Sequence, residues 1–435
     1  MSYFGIDLGT SNSLIGNAAT GYLSDLVPSI VNLKTKTVGY PAYNDFEAER
    51  VFKLSMSMDM GGAVPRLASA EVLKKLRSLT GNAATDVIIS VPAFFNTNQR
   101  SATIEAASMA GLNVIGLINE PTAAAAYIAR GKKSLFVVMD LGGGTFDVSI
   151  VDSRFGPYIV QASDGIVPCG GSNLDYEVMR YLSKQAKVPI FMMSKEAKSN
   201  FQIKCQEFKI EMSKNYPNDV SFDLSEFQGP KSFKFKAKDY RALVEMVFKR
   251  TVEKTKHLIE NNIPGETFEI LLVGGSTKDP YYRDLVVDML KHEVAPLTYD
   301  PDRVVAQGAA YCAMLKERGE FDITVHDVTK ALSVGLANGL CRNLISPNSS
   351  IPCEVSEMFT NDEACEVLHL ELYQGSSQLS KENEYIGELN YPYGREVAEH
   401  EGIVYVTISV DDKGVITFKC NESLQDPVVV KLNIK

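Results

Sequence analysis

Val137-Val138-Met139-Asp140-Leu141-Gly142-Gly143-Gly144-Thr145-Phe146-Asp147 is the stretch on which the fold reading turns. An apolar run reads as a buried strand, three glycines as a tight turn, and a hydroxyl residue follows. The N-terminus repeats the arrangement in Phe4-Gly5-Ile6-Asp7-Leu8-Gly9-Thr10-Ser11-Asn12-Ser13, with an aspartate again just before Leu-Gly. A third loop, Ile270-Leu271-Leu272-Val273-Gly274-Gly275-Ser276-Thr277, has the glycines and hydroxyls without the aspartate. Phosphate oxygens need backbone N–H donors at close range, which glycine permits. A carboxylate facing polyphosphate repels it unless a divalent cation lies between them. Asp7 and Asp140 are therefore read as holding Mg²⁺ through its waters, since that ion keeps its hydration shell. One such loop alone would be an ordinary strand-to-helix turn. Three loops with two matched aspartates point to a two-lobed core with ATP and a metal between the lobes. The chain has no G-x-x-x-x-G-K-[ST] and no G-x-G-x-x-G, which sets aside P-loop and dinucleotide folds.

The 435 residues allow two or three domains, each able to bury its own core. A hydrophobic content of 45% with 23% charged residues marks a globular chain, and no apolar run reaches membrane-spanning length. The first strand starts within three residues of Met1, which leaves no room for a signal peptide and gives a cytoplasmic expectation. Seven cysteines without C-x-x-C spacing favour free thiols in a reducing compartment, and five scattered histidines form no metal-ligand cluster. A net charge of −10, with no basic stripe among aromatics, argues against nucleic acid as a partner; no membrane partner is expected either.

Residues 1–320 alternate strand-like and helix-like segments, the pattern of α/β layers. Asp86 to Pro92 reads as a buried strand. Thr97 to Gly111 reads as a helix capped by Asn96 or Thr97, and Glu120-Pro121 opens another. Lys195 to Ser213 and Lys238 to Asn262 read as helices flanking a β-like stretch from Val220 to Lys236. Beyond about residue 320 the helix signal fades. Val404 to Val410 and Val415 to Phe418, joined through Asp412-Lys413-Gly414, predict a hairpin within a β-sandwich of about a hundred residues.

Six segments carry a resemblance to a known family: Gly5 to Thr10, Val91 to Asn96, Ala110 to Val114, Ile118 to Ala125, Asp140 to Ser149 and Leu272 to Thr277. Leu344-Ile345, Asn348 to Pro352, Gln374-Gly375 and the Asp411 to Phe418 hairpin extend it. In these the chain resembles the heat shock protein 70 (DnaK-type) chaperones over nearly its whole length. The resemblance implies an α/β, actin-like two-lobed ATPase domain over 1–319, a linker over 320–328, and an all-β peptide-binding sandwich over 329–435. It implies ATP/ADP and Mg²⁺ as cofactors and extended polypeptides as clients. A J-domain co-chaperone and a nucleotide exchange factor are its implied partners.

By the same resemblance, Gly9, Thr10, Ser11 and Asn12 form the first phosphate loop and Gly142, Gly143, Gly144 and Thr145 the second. Asp7, Asp140 and Thr145 hold the metal and the attacking water. Glu120 couples nucleotide state to lobe geometry. Gly274, Gly275, Ser276, Lys278, Lys209 and Ser213, with Gly170, Gly171 and Asp302, hold the nucleotide. Lys53 falls near the family's catalytic lysine, in a segment shorter than usual; the other reading is a solvated surface lysine. Leu336, Phe359, Leu368 and Leu370 would line an apolar peptide slot, with Ala337 and Asp362 near an arch over the peptide. Alternation alone would equally make those apolar residues sandwich core.

The chain departs from the family in four places. Val31 to Ala68 is too short for the full outer subdomain of the first lobe. Gln206 replaces an acid and Ile210 an arginine at the adenosine helix, and Lys278 replaces another arginine, which stacks better because it is planar. The linker Asp322-Ile-Thr-Val-His-Asp327 is less apolar than the family's, and no helical lid is expected after Lys435. These departures leave open a nucleotide-binding scaffold with little hydrolysis beside the ATP-dependent chaperone of low turnover. A metabolite kinase on the same fold would not carry the C-terminal β region.

Overall fold

The computed structural model describes residues 3–56, 64–93, 95–155, 158–294, 297–320, 331–346, 349, 351–375, 377–411, 416–422 and 428–429. Of the expected linker only Glu320 is among them, and the turn of the expected hairpin, 412–415, lies outside. The chain divides into two compact units. One comprises Met1–Phe94, Glu105–Val114 and Ile118–Ile323; the other comprises Phe95–Ile104, Ile115–Leu117 and Thr324–Lys435.

The first unit is mixed α/β, and its two main sheets repeat one local pattern. The strand Phe4–Leu8 runs antiparallel to Asn12–Asn17 and parallel to Asp86–Val91. The strand Leu135–Leu141 likewise runs antiparallel to Phe146–Asp152 and parallel to Glu269–Val273, with Ile159–Ile166 extending the sheet beyond Phe146–Asp152. Each central strand is almost wholly buried, as expected of strands covered on both faces. Its hairpin turn is the glycine loop, so the duplication seen in the sequence is a duplication of topology.

Two helices meet between these sheets. Glu120–Ala129 begins directly after the strand Asn113–Asn119, with Pro121 in its first turn, where the missing N–H is no loss. It packs against Val304–Glu317, and the contact is close because both surfaces are small. Ala123 to Ala126 are buried, and a Cβ at Gly308 would sit 1.9 Å from the Ala123 carbonyl oxygen. The segment between the strand Asn12–Asn17 and the helix Val64–Leu79 is brief. It holds a three-stranded sheet of Ile30–Asn32, Thr37–Val38 and Glu49–Arg50, then a 3-10 turn at Phe52–Ser55.

Further along, Lys195–Asn215 and Ala237–Asn262 are helices, and the β-like stretch between them is the hairpin Val220–Phe222 with Phe233–Phe235. Helix Thr97–Met109 opens on a reciprocal cap: Asn96 Oδ1 accepts from the Gln99 N–H, and Gln99 Oε1 accepts from the Asn96 N–H, both at 3.0 Å.

Among the described residues beyond 330 the second unit is strands and one 3-10 turn. One sheet orders Cys341–Ile345, Leu332–Gly335, Cys365–Gln374 and Glu384–Val397; the other orders Cys353–Thr360, Ile403–Val410, Ile416–Asn421 and Val428–Val429. Ile403–Val410 and Ile416–Asn421 pair antiparallel, as the hairpin reading expects. Alternate residues from both sheets enter one hydrophobic core, including Leu332, Leu372, Val406 and Phe418.

Candidate functional site

The strand ends of the first unit converge on a cavity. The first loop lines it through Gly9, Thr10, Ser11 and Asn12, the second through Gly142, Gly143 and Thr145, and the third through Gly274 and Gly275. Asp7, Asp140, Glu120, Lys53 and Asp302 face the same space, as do Pro301 and Val305, which the sequence reading did not single out.

Strand register puts the acids together. Asp140 lies directly opposite Asp147 on the neighbouring antiparallel strand, so their side chains share a face. Like charges so placed repel unless a cation intervenes. In the N-terminal copy the matching pair is Asp7 opposite Leu14. Asp7 instead accepts a 3.0 Å hydrogen bond from the Ser90 hydroxyl on the parallel strand.

Lys53 is buried, not solvated. Its Nζ lies 2.6 Å from Glu120 Oε1, and the two side chains are 3% and 10% exposed. Glu120 stands in the first turn of its helix, where the helix dipole favours a negative charge. Val51, at the start of the turn that carries Lys53, has φ 57°. That left-handed conformation costs a β-branched residue on the order of 1–3 kcal/mol and persists only where surroundings impose it.

The aspartates of the site are shifted in protonation by burial and by the charges around them. Burial, then the nearby Glu120 charge, pushes Asp7 up to about 7, with Lys53 and Ser90 acting in the opposite sense. Asp140 is raised well above the usual carboxylate range by burial, Glu120 and Asp7. Asp147 is raised by burial, Glu120 and Asp140, and neither of its buried oxygens accepts a well-formed hydrogen bond. Four carboxylates, Asp7, Glu120, Asp140 and Asp302, line the cavity beside the Lys53 ammonium. A divalent cation fits this excess of negative charge and the orphaned Asp147. Among the described residues no three acidic, histidine or cysteine side chains gather tightly enough to cage a metal directly. The donor set suits an ion that keeps its waters, as Mg²⁺ does.

The other expected nucleotide residues lie around this cavity without lining it. Gly170 and Gly171 brace the second loop: the Gly171 N–H donates to the Gly142 carbonyl at 3.0 Å, and Cys169 N–H donates to Gly144. Ser276 Oγ donates to the Gly142 carbonyl at 3.0 Å. Lys209 pairs with Asp175 at 2.7 Å and donates to the Gly171 carbonyl. Lys278 pairs with Asp300 and Asp302, and Ser213 joins a hydrogen-bonded group with Asp279 and Tyr240.

In the second unit Phe359, Leu368 and Leu370 are 8%, 5% and 6% exposed and belong to the core shared by the two sheets. Leu336 is 39% exposed and sits beside Ala337 in the turn between the first two strands, while Asp362 follows Cys353–Thr360. These residues are thus divided between core and surface. Asp147 stands outside the expected site residues; its signal in the sequence is a second carboxylate at the place where the N-terminal copy carries Leu14.

Paired glycine loops, an acidic cluster and a buried lysine thus meet in one cleft on a duplicated α/β core. The Hsp70 protein family model matches residues 28–434. The chaperone protein DnaK of Thermoplasma acidophilum is 31% identical over a 463-residue alignment that covers 95% of this chain and 74% of that protein. The chain belongs to the Hsp70 family.

Proposed function

We propose that the chain is an ATP-dependent chaperone that hydrolyses ATP to ADP and phosphate in this cleft and couples the nucleotide state to its affinity for extended apolar peptides. The observation that carries the reading is the Lys53–Glu120 pair, buried at 2.6 Å beside Asp7 and Asp140 and facing the glycine loops. The loop N–H groups and the hydroxyls of Thr10, Ser11 and Thr145 bind the phosphates. Asp7, Asp140 and Asp147 would hold Mg²⁺ through its waters, and the ion would supply positive charge against the phosphoryl oxygens. Lys53 adds a fixed ammonium where charge develops on the γ-phosphoryl group, and Glu120 holds it there. Thr145 orients the attacking water, whose oxygen bonds to the γ-phosphorus as the β–γ bridging bond breaks. The water's proton leaves on the released phosphate.

The peptide-binding half of the reading rests on family membership and on the exposed Leu336, since three of the four apolar residues assigned to a slot are core. Unfolded polypeptides are the proposed clients, a J-domain protein and an exchange factor the proposed co-chaperones, and the cytoplasm the proposed compartment. A coupling of this kind requires the peptide to have different affinities for the two nucleotide states. The test is single-turnover hydrolysis of [γ-³²P]ATP with Mg²⁺, with and without an extended apolar peptide, alongside Asp140→Ala. Hydrolysis accelerated by peptide and lost in the variant supports the chaperone. ATP retained without turnover moves the reading to a nucleotide-binding scaffold.

A further inference from the structure

Helix Gly171–Gln185 hands over to helix Lys195–Asn215 through a 3-10 turn, Ile190–Met192, and the apolar residues there face two ways. Ile190 and Met193, three residues apart and so on one face of such a turn, pack against the core of the first unit. Phe191 and Met192 point away from it and are 88% and 75% exposed. The turn is fixed at both ends. The Ser183 hydroxyl donates to the carbonyl of the buried Val188 at 2.9 Å, and Ser194 caps the second helix by accepting from the Ala197 N–H at 3.1 Å. Single exposed apolar residues are ordinary on any protein surface. Two adjacent ones on a pinned turn form an apolar tip that the described residues leave uncovered.

Charge surrounds the tip in a pattern of its own. Lys184, Lys187, Lys195 and Lys198 flank it on both sides, all exposed, against one acid in the same stretch, Glu196. Among the described residues none of the four is ion-paired, whereas Lys204 and Lys209 further along the second helix are held by Glu207 and Asp175. The neighbouring turn Ser225–Phe227 adds one more acid, Glu226, and the excess stays positive in a chain of net charge −10. We propose that this tip docks an acidic segment of a partner protein, one with apolar side chains set between carboxylates. The lysines on either side match the carboxylates, and Phe191 and Met192 match the apolar centre, as aromatic residues and methionine do at many interfaces. A bilayer is the poorer occupant. An anionic membrane would face a whole side of this acidic chain, whereas a short segment meets only the patch, since charges more than about 8 Å away are screened at physiological salt. The proposal does not rest on the ATP reading.

The test uses the full chain and a fluorescein-labelled peptide with central leucines flanked on each side by glutamates. A second probe carries lysines in place of the glutamates. Anisotropy titrations are run at low and at physiological salt on the unaltered chain, on Phe191→Ser/Met192→Ser and on Lys184→Glu/Lys195→Glu, with melts to confirm that both variants fold. The acidic probe is expected to bind at least about tenfold more tightly than the basic one, to weaken with salt, and to lose at least about tenfold in each variant. An acidic probe that binds no better than the basic one, or equally well to the variants, overturns the proposal. So does co-sedimentation with phosphatidylserine vesicles through these residues in the absence of peptide binding, which would make the tip a membrane contact.

Discussion

Lys53 Nζ and Glu120 Oε1 stand 2.6 Å apart across 67 residues of sequence, in a pair that solvent barely reaches. Breaking a buried pair by removing one partner leaves an uncompensated charge and costs about 3–5 kcal/mol. Lys53→Met is therefore expected to destabilise the protein by that order and to lower hydrolysis at least about a hundredfold. The double variant Lys53→Met/Glu120→Gln should recover most of the stability and none of the hydrolysis. Urea melts and single-turnover kinetics on both variants check this; hydrolysis restored in the double variant would show that the lysine acts only through folding.

The acidic cluster predicts a pH dependence for the protein without nucleotide or Mg²⁺. Asp7 is raised from 3.8 to about 7, chiefly by burial and Glu120. A raised carboxyl binds its proton more tightly folded than unfolded. Its contribution is complete below about pH 4 and is lost as pH rises through about 7. Asp7→Asn should flatten that window, leave the apo protein more stable at pH 7 by on the order of 1–3 kcal/mol, and abolish turnover. Melting temperatures from pH 4 to 8 give the comparison. An unchanged slope in the variant would mean that Asp140 and Asp147 carry the titration.

Gly274 joins the third loop to the acids. Its φ is 83°, and a Cβ there would lie 2.5 Å from both Asp140 Oδ1 and the Leu141 carbonyl oxygen. Gly274→Ala combines backbone strain with displacement of a cluster carboxylate. ATP affinity should fall at least about tenfold, equivalent to about 1.4 kcal/mol, as read by calorimetry. Retained affinity would place the triphosphate away from the third loop.

Gly308 has no part in the chemistry, yet its contact is as close. A methyl group there would press on the backbone of Ala123 at 1.9 Å and part the two central helices. Gly308→Ala should cost about 1–3 kcal/mol, the usual range for overpacking. Circular dichroism melts would register it, and a neutral outcome would show that the helices slide without cost.

What the sequence made legible was local. Each glycine loop announces its own strand and turn, and the aspartate before Leu-Gly needs no tertiary knowledge to be noticed. The same step along the chain that takes Asp7 to Asp140 takes Leu14 to Asp147, so the extra acid too was readable by aligning the two copies. Burial of Lys53 was not legible, because its partner is far along the chain and the turn that presents it begins at a strained valine. Nor could alternation separate core from slot in the β unit, since both readings demand an apolar residue at every second position.

That last ambiguity carries a prediction of its own. Leu368 and Leu370 are 5% and 6% exposed within the shared core, whereas Leu336 is 39% exposed. If burial in the sheets is their role, Leu368→Ala should cost about 2–5 kcal/mol, the range for emptying a core leucine. Leu336→Ala should leave stability within about 0.5 kcal/mol, as surface changes do, and weaken binding of a fluorescent apolar peptide severalfold. Equilibrium urea melts and fluorescence anisotropy separate the two effects. A Leu368→Ala protein of unchanged stability that no longer binds peptide would reverse the assignment, making the buried leucine the floor of a slot that opens to admit its ligand.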